Sequence, residues 1–185
     1  RQSVGGGRVV VFNDNSTNNN VAGAFSSTSI DNTTDWSLSA ASGILDNTTA
    51  GVHCAMTYAG LSGNDRTFFM AVDNNTTIEV LQIVDNTTDL TVSSLGTISS
   101  TTADTLAITT DGVSPFTAVD NGTSGTPVYQ TTTELAPTTG SKVFGVDKTG
   151  PVDIAIASDN STIVVTGMSE ASGSTYPAVR VFYNE

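Results

Sequence analysis

Residues 72–88 read VDNNTTIEVLQIVDNTT. An apolar run of strand length, rich in branched aliphatic residues, lies between two copies of a polar tetrad that begins with Asp-Asn and ends in Thr. Branched aliphatic residues favour β-strands, whereas Asp and Asn favour the turns that end them. The stretch therefore predicts one strand bounded by two turns.

The rest of the chain repeats this arrangement, with short apolar runs between clusters of Gly, Asn, Asp and Ser. No window of about 12 residues shows the apolar spacing of an amphipathic helix. Predicted strands lie near residues 8–12, 21–30, 36–45, 52–58, 66–72, 77–84, 90–98, 104–109, 115–119, 126–131, 142–147, 151–157, 161–167 and 178–183. The pattern predicts an all-β fold of antiparallel strands.

Composition excludes several classes of function. The chain has 185 residues, of which 37% are hydrophobic, and a formal net charge of −12. A chain of this size can bury a hydrophobic core. So acidic a chain repels phosphate backbones, so no nucleic-acid partner is expected. No apolar run approaches the roughly 20 residues of a membrane span, so no membrane insertion is expected.

An internal repeat underlies the strands. Three segments of similar sequence, VHCAMTY (52–58), DTLAITT (104–110) and VDIAIAS (152–158), are each followed by two further predicted strands. Strand, turn, strand, loop, strand recurs with a period of about 40–50 residues, as in propeller blades. We therefore expect residues 17–185 to form a single all-β domain of about three to four repeated units.

The repeat resembles bacterial and archaeal surface β-propellers of the YVTN type over about residues 70–185. Matching segments are Gly96-Thr97-Ile98 and DTLAITTDG (104–112), while FTAVDN (116–121) and IVVT (163–166) stand in place of the Tyr-Val-x-Asn strand. The resemblance implies a propeller-like array of antiparallel β-units on a cell surface. A β-sandwich or jelly roll stays open as the alternative fold.

The first predicted strand, RVVVFNDN (8–15), is similar to the last, VRVFYNE (179–185). Two interpretations stay open: residues 17–50 hold a divergent fourth unit, or a strand pairs with a neighbouring chain. Gly5 to Gly7 supply a flexible hinge for exchanging residues 1–16 with a neighbouring subunit. The same segment also fits the flexible start of an ordinary β-sandwich.

The tetrad Asp-Asn-x-Thr occurs seven times, at 14–17, 31–34, 46–49, 73–76, 85–88, 120–123 and 159–162. Turn chemistry accounts for Asp and Asn but not for an invariant Thr, whereas Asn-x-Thr is the acceptor triplet for N-glycosylation. Predicted acceptors are Asn15, Asn32, Asn47, Asn74, Asn75, Asn86, Asn121 and Asn160. Turns alone stay open as the alternative; a calcium site is disfavoured because each turn supplies one carboxylate.

Residues for catalysis are few. His53 and Cys54 are the single histidine and the single cysteine, and neighbours on a strand point to opposite faces, so they do not form a catalytic pair. We interpret Cys54 as a buried thiol, and Phe68, Phe69 and Met70 as core. No enzyme, metal site or cofactor is predicted.

The predicted function is a non-enzymatic extracellular structural glycoprotein, a subunit of a surface layer, filament or virion that assembles with copies of itself through strand and sheet contacts. The alternative is an adhesin or lectin-like propeller that binds surface glycans. Aromatic residues that stack on sugars would come from Trp36, Tyr58, Tyr129 or Tyr176, with core packing as the other interpretation of Trp36.

Overall fold

The computed structural model describes residues 8–13, 20–26, 37–45, 53–73, 77–86, 89–99, 103, 105–120, 127–135, 146–147, 152–171 and 174–183. Across these ranges every regular element is a β-strand, and every strand pairing is antiparallel. The prediction of an all-β fold is confirmed. Among the described residues, none lies in a helix that is long and apolar enough to cross a membrane.

Sheet I contains the first three strands in the order β1-β2-β3. They are β1 (Arg8–Asn13), β2 (Asn20–Ser26) and β3 (Ser37–Leu45). β1 pairs with β2 along its whole length, from Arg8 opposite Ser26 to Asn13 opposite Val21. The predicted hinge at residues 5–7 lies outside the described residues, and the exchange of residues 1–16 between subunits stays a prediction.

Sheet II follows as a four-stranded meander in chain order. Its strands are β4 (Cys54–Ser62), β5 (Asp65–Asp73), β6 (Thr77–Asp85) and β7 (Leu90–Ser99). Ser62 pairs with Asp65, so β4 and β5 are joined by the two-residue turn Gly63-Asn64. Gly63 has a φ of 63°, a conformation that glycine adopts without the steric cost of a Cβ.

Sheets III and IV complete the described chain. Sheet III comprises β8 (Thr105–Thr110), β9 (Pro115–Asp120), β10 (Val128–Gln130) and β11 (Thr133–Glu134). Sheet IV comprises β12 (Val146–Asp147), β13 (Asp153–Ile156), β14 (Thr162–Ala171) and β15 (Ser174–Tyr183). In sheet IV, β14 is central: β12 and β13 pair with it on one side and β15 on the other.

The three segments of similar sequence occupy corresponding places in sheets II, III and IV. They coincide with β4, β8 and β13, and in each case the next two strands continue an antiparallel meander. These three first strands also lie next to one another, because β8 runs close to both β4 and β13. The sequence repeat therefore corresponds to a structural repeat of one sheet.

The core is layered between successive sheets. One buried cluster joins sheets II and III, and includes Ile78, Val80, Ile98 and Val119. A second joins sheets III and IV, and includes Phe116, Val128, Val165 and Phe182. Every residue of β9 is buried, since sheet III contributes side chains to both clusters. Sheets II, III and IV thus stack face to face.

A third buried cluster lies on the other side of sheet II and is formed by Met70, Val72, Leu81, Ile83 and Leu90. β2 and β3 of sheet I run close to β7, at the edge of sheet II opposite β4. Phe69 and Met70 are buried, as predicted, and Phe68 is partly buried against this third cluster.

Candidate glycan-acceptor turns

The polar tetrads lie at strand ends in all copies that the structure describes. Asp73, Asp85 and Asp120 are the last residues of β5, β6 and β9, and residues 159–162 form the turn between β13 and β14. The predicted acceptors Asn15, Asn32, Asn47, Asn74, Asn75 and Asn121 lie outside the described residues. Two acceptors, Asn86 and Asn160, are described.

The aspartates at strand ends are buried, which the sequence did not predict. Asp73, Asp85 and Asp120 are 1%, 0% and 3% exposed. A carboxylate removed from water must be compensated by hydrogen bonds or by opposite charge. The Oδ2 atom of Asp73 accepts a hydrogen bond of 2.8 Å from the buried backbone N–H of Ala103. Asp73 therefore ties the end of β5 to the segment that leads into sheet III.

Asp85 is compensated by charge. Its Oδ2 atom lies 3.9 Å from Nη1 of Arg66, and the two residues are direct cross-strand partners on β6 and β5. The Arg66 side chain keeps about a third of its surface exposed, at 33%, while the carboxylate has none. The first residue of this tetrad is therefore held inward by the fold.

Asn86 begins the loop that connects β6 to β7. Its backbone N–H donates to the carbonyl oxygen of Asp89 at 3.1 Å, and its Oδ1 accepts the backbone N–H of Asp89 at 2.7 Å. The side chain, half-buried here, thus closes the turn in which it lies. Turn chemistry accounts for the amide oxygen of this asparagine.

The turn at residues 159–162 is the one tetrad that the structure describes completely. Asp159 Oδ1 accepts hydrogen bonds from the backbone N–H and the hydroxyl of Ser161, at 3.0 and 2.7 Å. These two bonds, the hydroxyl bond first, lower the pKa of the exposed Asp159 carboxyl. Asn160 follows with a φ of 60°, a left-handed conformation that asparagine tolerates better than most residues.

Asn160 is exposed, and its amide Nδ2 lies 3.5 Å from the carbonyl oxygen of Asp111, at the limit of a hydrogen bond. Asp111 belongs to the corresponding turn of sheet III, where its Oδ1 accepts the backbone N–H groups of Val113 and Ser114. Thr162, the last residue of the triplet, begins β14 and is half-buried. Asn160 and Asp159 are thus the exposed members of this tetrad.

His53 and Cys54 are both exposed. The interpretation of Cys54 as a buried thiol is wrong: it begins β4, an edge strand of sheet II, and is exposed there. Among the described residues, no group of three or more His, Cys, Asp or Glu side chains is placed to hold a metal ion.

Of the aromatic candidates for sugar stacking, the structure describes the side chains of Tyr58 and Tyr129. Tyr58 is exposed on β4 and its ring lies 5.3 Å from that of Phe68. Tyr129 instead packs against the cluster between sheets II and III. Burial, and to a smaller extent the negative charge of Glu134, raises the pKa of its hydroxyl. Trp36 and the side chain of Tyr176 lie outside what the structure describes.

Comparison with known proteins adds no relative: no protein-family model matches the chain, and neither does any curated protein.

Proposed function

We propose that the chain is a non-enzymatic extracellular structural glycoprotein, a subunit of a surface layer, filament or virion. The observation that carries this proposal is the Asn-x-Thr triplet that recurs at strand ends, with Asn160 exposed on a tight turn in the copy described completely. Oligosaccharides on such turns cover loop backbone and leave sheet faces free to pack. N-glycans also imply export to the cell surface or beyond.

The buried aspartates support different roles for the aspartate and the asparagine of the tetrad. Asp73 accepts the backbone N–H of Ala103 and Asp85 lies beside Arg66, so these contacts support a structural role for an aspartate at the end of β5 and of β6. Turn geometry accounts for part of the asparagine's role. We propose that acceptance of a glycan accounts for the recurring Asn-x-Thr spacing.

The proposed architecture is propeller-like, with sheets II, III and IV as successive units whose first strands lie side by side. It agrees with the resemblance to YVTN-type surface repeats, and a β-sandwich is the alternative. Proposed partners are copies of the chain itself, through sheet contacts or exchange of residues 1–16, with no nucleic acid and no membrane insertion.

The mass of the native protein tests the glycan proposal. We expect intact protein from its natural source to exceed the 19.0 kDa of the bare chain by several oligosaccharides. Thr162→Ala, which destroys the triplet at Asn160, should remove one oligosaccharide, whereas Thr162→Ser preserves the triplet and should keep it. A native mass equal to that of the bare chain contradicts the proposal.

A second candidate function is a lectin-like surface that binds glycans, and it is favoured by Tyr58, an aromatic side chain that is 52% exposed. Exposed aromatic rings offer an apolar face together with a polar hydroxyl. Specific binding on a glycan array, lost in Tyr58→Ala, would support this function. An array without signal would leave the structural role as the better account.

A further inference from the structure

Sheets II and III present the same pair of small residues where they face forward, that is, toward the next sheet in chain order. In sheet II, Ala55 pairs across the strands with Ala71, which belongs to the buried cluster shared with sheet III. In sheet III, Ala107 pairs with Ala118, and both are buried in the cluster shared with sheet IV. Each forward face thus contains an alanine pair on its first and second strands, together with larger residues such as Ile78 and Val80 in sheet II and Phe116 in sheet III.

The backward faces, which point to the preceding sheet, carry larger apolar residues. On β8, Leu106 and Ile108 pack against the cluster shared with sheet II. On β13, Ile154 and Ile156 pack in the cluster shared with sheet III. At each interface between sheets, branched aliphatic residues of the first strand therefore pack on the face of the preceding sheet that carries the alanine pair. These first strands are β8, against sheet II, and β13, against sheet III.

Sheet IV has a forward face of similar construction, and within the described ranges no other sheet forms a buried cluster with it. Ala155 pairs with Val164, and Val164 in turn pairs with Val181 on β15. Ala155 is exposed, Val164 and Val181 are half-buried, and the neighbouring Val179 is 42% exposed. This open forward face is an apolar block within three adjacent strands.

Sheet II has exposed side chains on the backward side of its first strand, β4. In the repeat, Cys54 and Met56 correspond to Leu106 and Ile108, which are covered by a preceding sheet. Here Cys54 is exposed, Met56 is 39% exposed and Tyr58 is 52% exposed. Sheet I approaches the opposite edge of sheet II, at β7. On this face the β5 residues opposite Cys54 and Met56, which are Val72 and Met70, are buried. The part that lies on β4, with Cys54, Met56 and Tyr58, is the open backward face.

We propose that these two faces bind each other between molecules: the open forward face of sheet IV in one copy seats on the open backward face of β4 in the next. The occupant is a second copy because the chain already forms this interface twice within itself, and the intermolecular contact continues the same series. β13 of one copy then lies beside β4 of the next, as β13 lies beside β8 and β8 beside β4.

Such a contact is heterologous, because two different surfaces of the chain meet. Heterologous contacts that do not close generate open linear polymers. The inference rests on the proposed structural role, and it names the surface through which the subunits join. A fourth sheet of the same chain seated between the two faces would instead close a ring within one molecule.

Charge sets the conditions under which the contact forms. With a net charge of −12, copies repel one another. The two faces are apolar apart from the Cys54 thiol and the Tyr58 hydroxyl on β4, and from the exposed pair of Asp153 and Thr166 beside Ala155 and Val164. Added salt screens the repulsion and strengthens apolar burial. We expect the polymer to lengthen as salt is raised from about 0.01 M to about 1 M, over which the screening length falls from roughly 30 Å to roughly 3 Å.

Two blocked variants test the pairing. Met56→Glu blocks the backward face, Ala155→Glu blocks the forward face, and Val113→Glu, at a residue 82% exposed in a turn, is the control with the same charge change. Circular dichroism and thermal unfolding verify that each variant folds. By sedimentation velocity we expect linear polymers for the unaltered chain and the control, and single chains of 19.0 kDa for either blocked variant alone.

The decisive sample is the mixture of the two blocked variants, because each keeps the face that the other lacks. We expect a one-to-one dimer and nothing longer. Blocked variants that still polymerise contradict this interface while leaving the structural function intact. If the unaltered chain folds but stays monomeric at every salt and protein concentration, both this inference and the self-assembly part of the proposed function are wrong. Glycosylation is then still tested by the native mass.

Discussion

Sheet III and sheet IV are built from similar sequence, yet they differ in what covers them. Sheet III is covered on both sides, so that every residue of β9 is buried. In sheet IV the alternation survives along β14: Ile163 and Val165 are buried against sheet III, while Val164 and Thr166 on the other side are half-buried and exposed. Position in the stack, more than the strand's own sequence, therefore decides burial.

The largest effect is expected at an aromatic residue of the covered sheet. Phe116→Ala on β9 removes a ring that is 6% exposed within the cluster between sheets III and IV, and should lower the free energy of unfolding by about 3–5 kcal/mol. Tyr58→Ala on the open side of β4 should cost roughly 1 kcal/mol, since Tyr58 is 52% exposed and its ring contacts that of Phe68. Urea denaturation measures both losses, and equal values would contradict the difference in burial between the two sites.

Two adjacent valines of β14 test the same difference in burial, because they share a strand and lie on opposite faces of it. Val165→Ala leaves a cavity against sheet III and should cost about 2–3 kcal/mol. Val164→Ala on the open forward face should cost less than about 1 kcal/mol in the dissociated chain. Denaturation at low salt and low protein concentration avoids a contribution from assembly. A loss at Val164 as large as that at Val165 would show that the forward face is covered within the molecule.

The tetrads offer the same contrast between inward and outward residues. Asp73→Ala leaves the buried N–H of Ala103 without its carboxylate partner and should cost about 1–3 kcal/mol. Asp159→Ala removes an exposed cap of the turn, so its effect on unfolding free energy should be distinctly smaller. If the two variants are equally stable, the inward role assigned to the strand-end aspartates is wrong.

The smallest effect concerns pH. Burial and then Glu134 raise the pKa of Tyr129 above its ordinary value of 10.0. A group whose pKa is raised by folding stabilises the fold fully below its unfolded pKa, and this contribution is lost as pH rises through the folded pKa. Between about pH 8 and about pH 11, Tyr129→Phe should lose less stability than the unaltered chain. Parallel pH curves for the two proteins would contradict the burial of this hydroxyl.

Local sequence was enough to predict the fold class and most strand positions, because turn residues and branched aliphatic runs act within a few residues. The repeat was also predictable, since β4, β8 and β13 begin in similar segments. β11, only two residues long, was missed. β14 and β15 extend further toward each other than their apolar residues indicated, because their pairing continues to Ala171 opposite Ser174.

Burial at the site could not be predicted, because it depends on other sheets. Cys54 and Leu106 occupy corresponding positions, and only the sheet in front of β8 makes the difference between them. The burial of Asp73 likewise depends on Ala103, which lies 30 residues further along the chain. Pairing partners at that separation leave no periodic signal in a single sequence.

Cross-linking through the chain's own thiol tests whether the two open faces meet between molecules. Cys54 is the only cysteine and lies on the open backward face, so Ala155→Cys adds one thiol on the open forward face. With a short bifunctional thiol cross-linker, we expect the Ala155→Cys chain to form a ladder of covalent multimers. The same chain with Cys54→Ser has one thiol and should form dimers at most. A cross-linked species of single-chain mass would instead show the two faces meeting within one molecule, and contradict assembly through them.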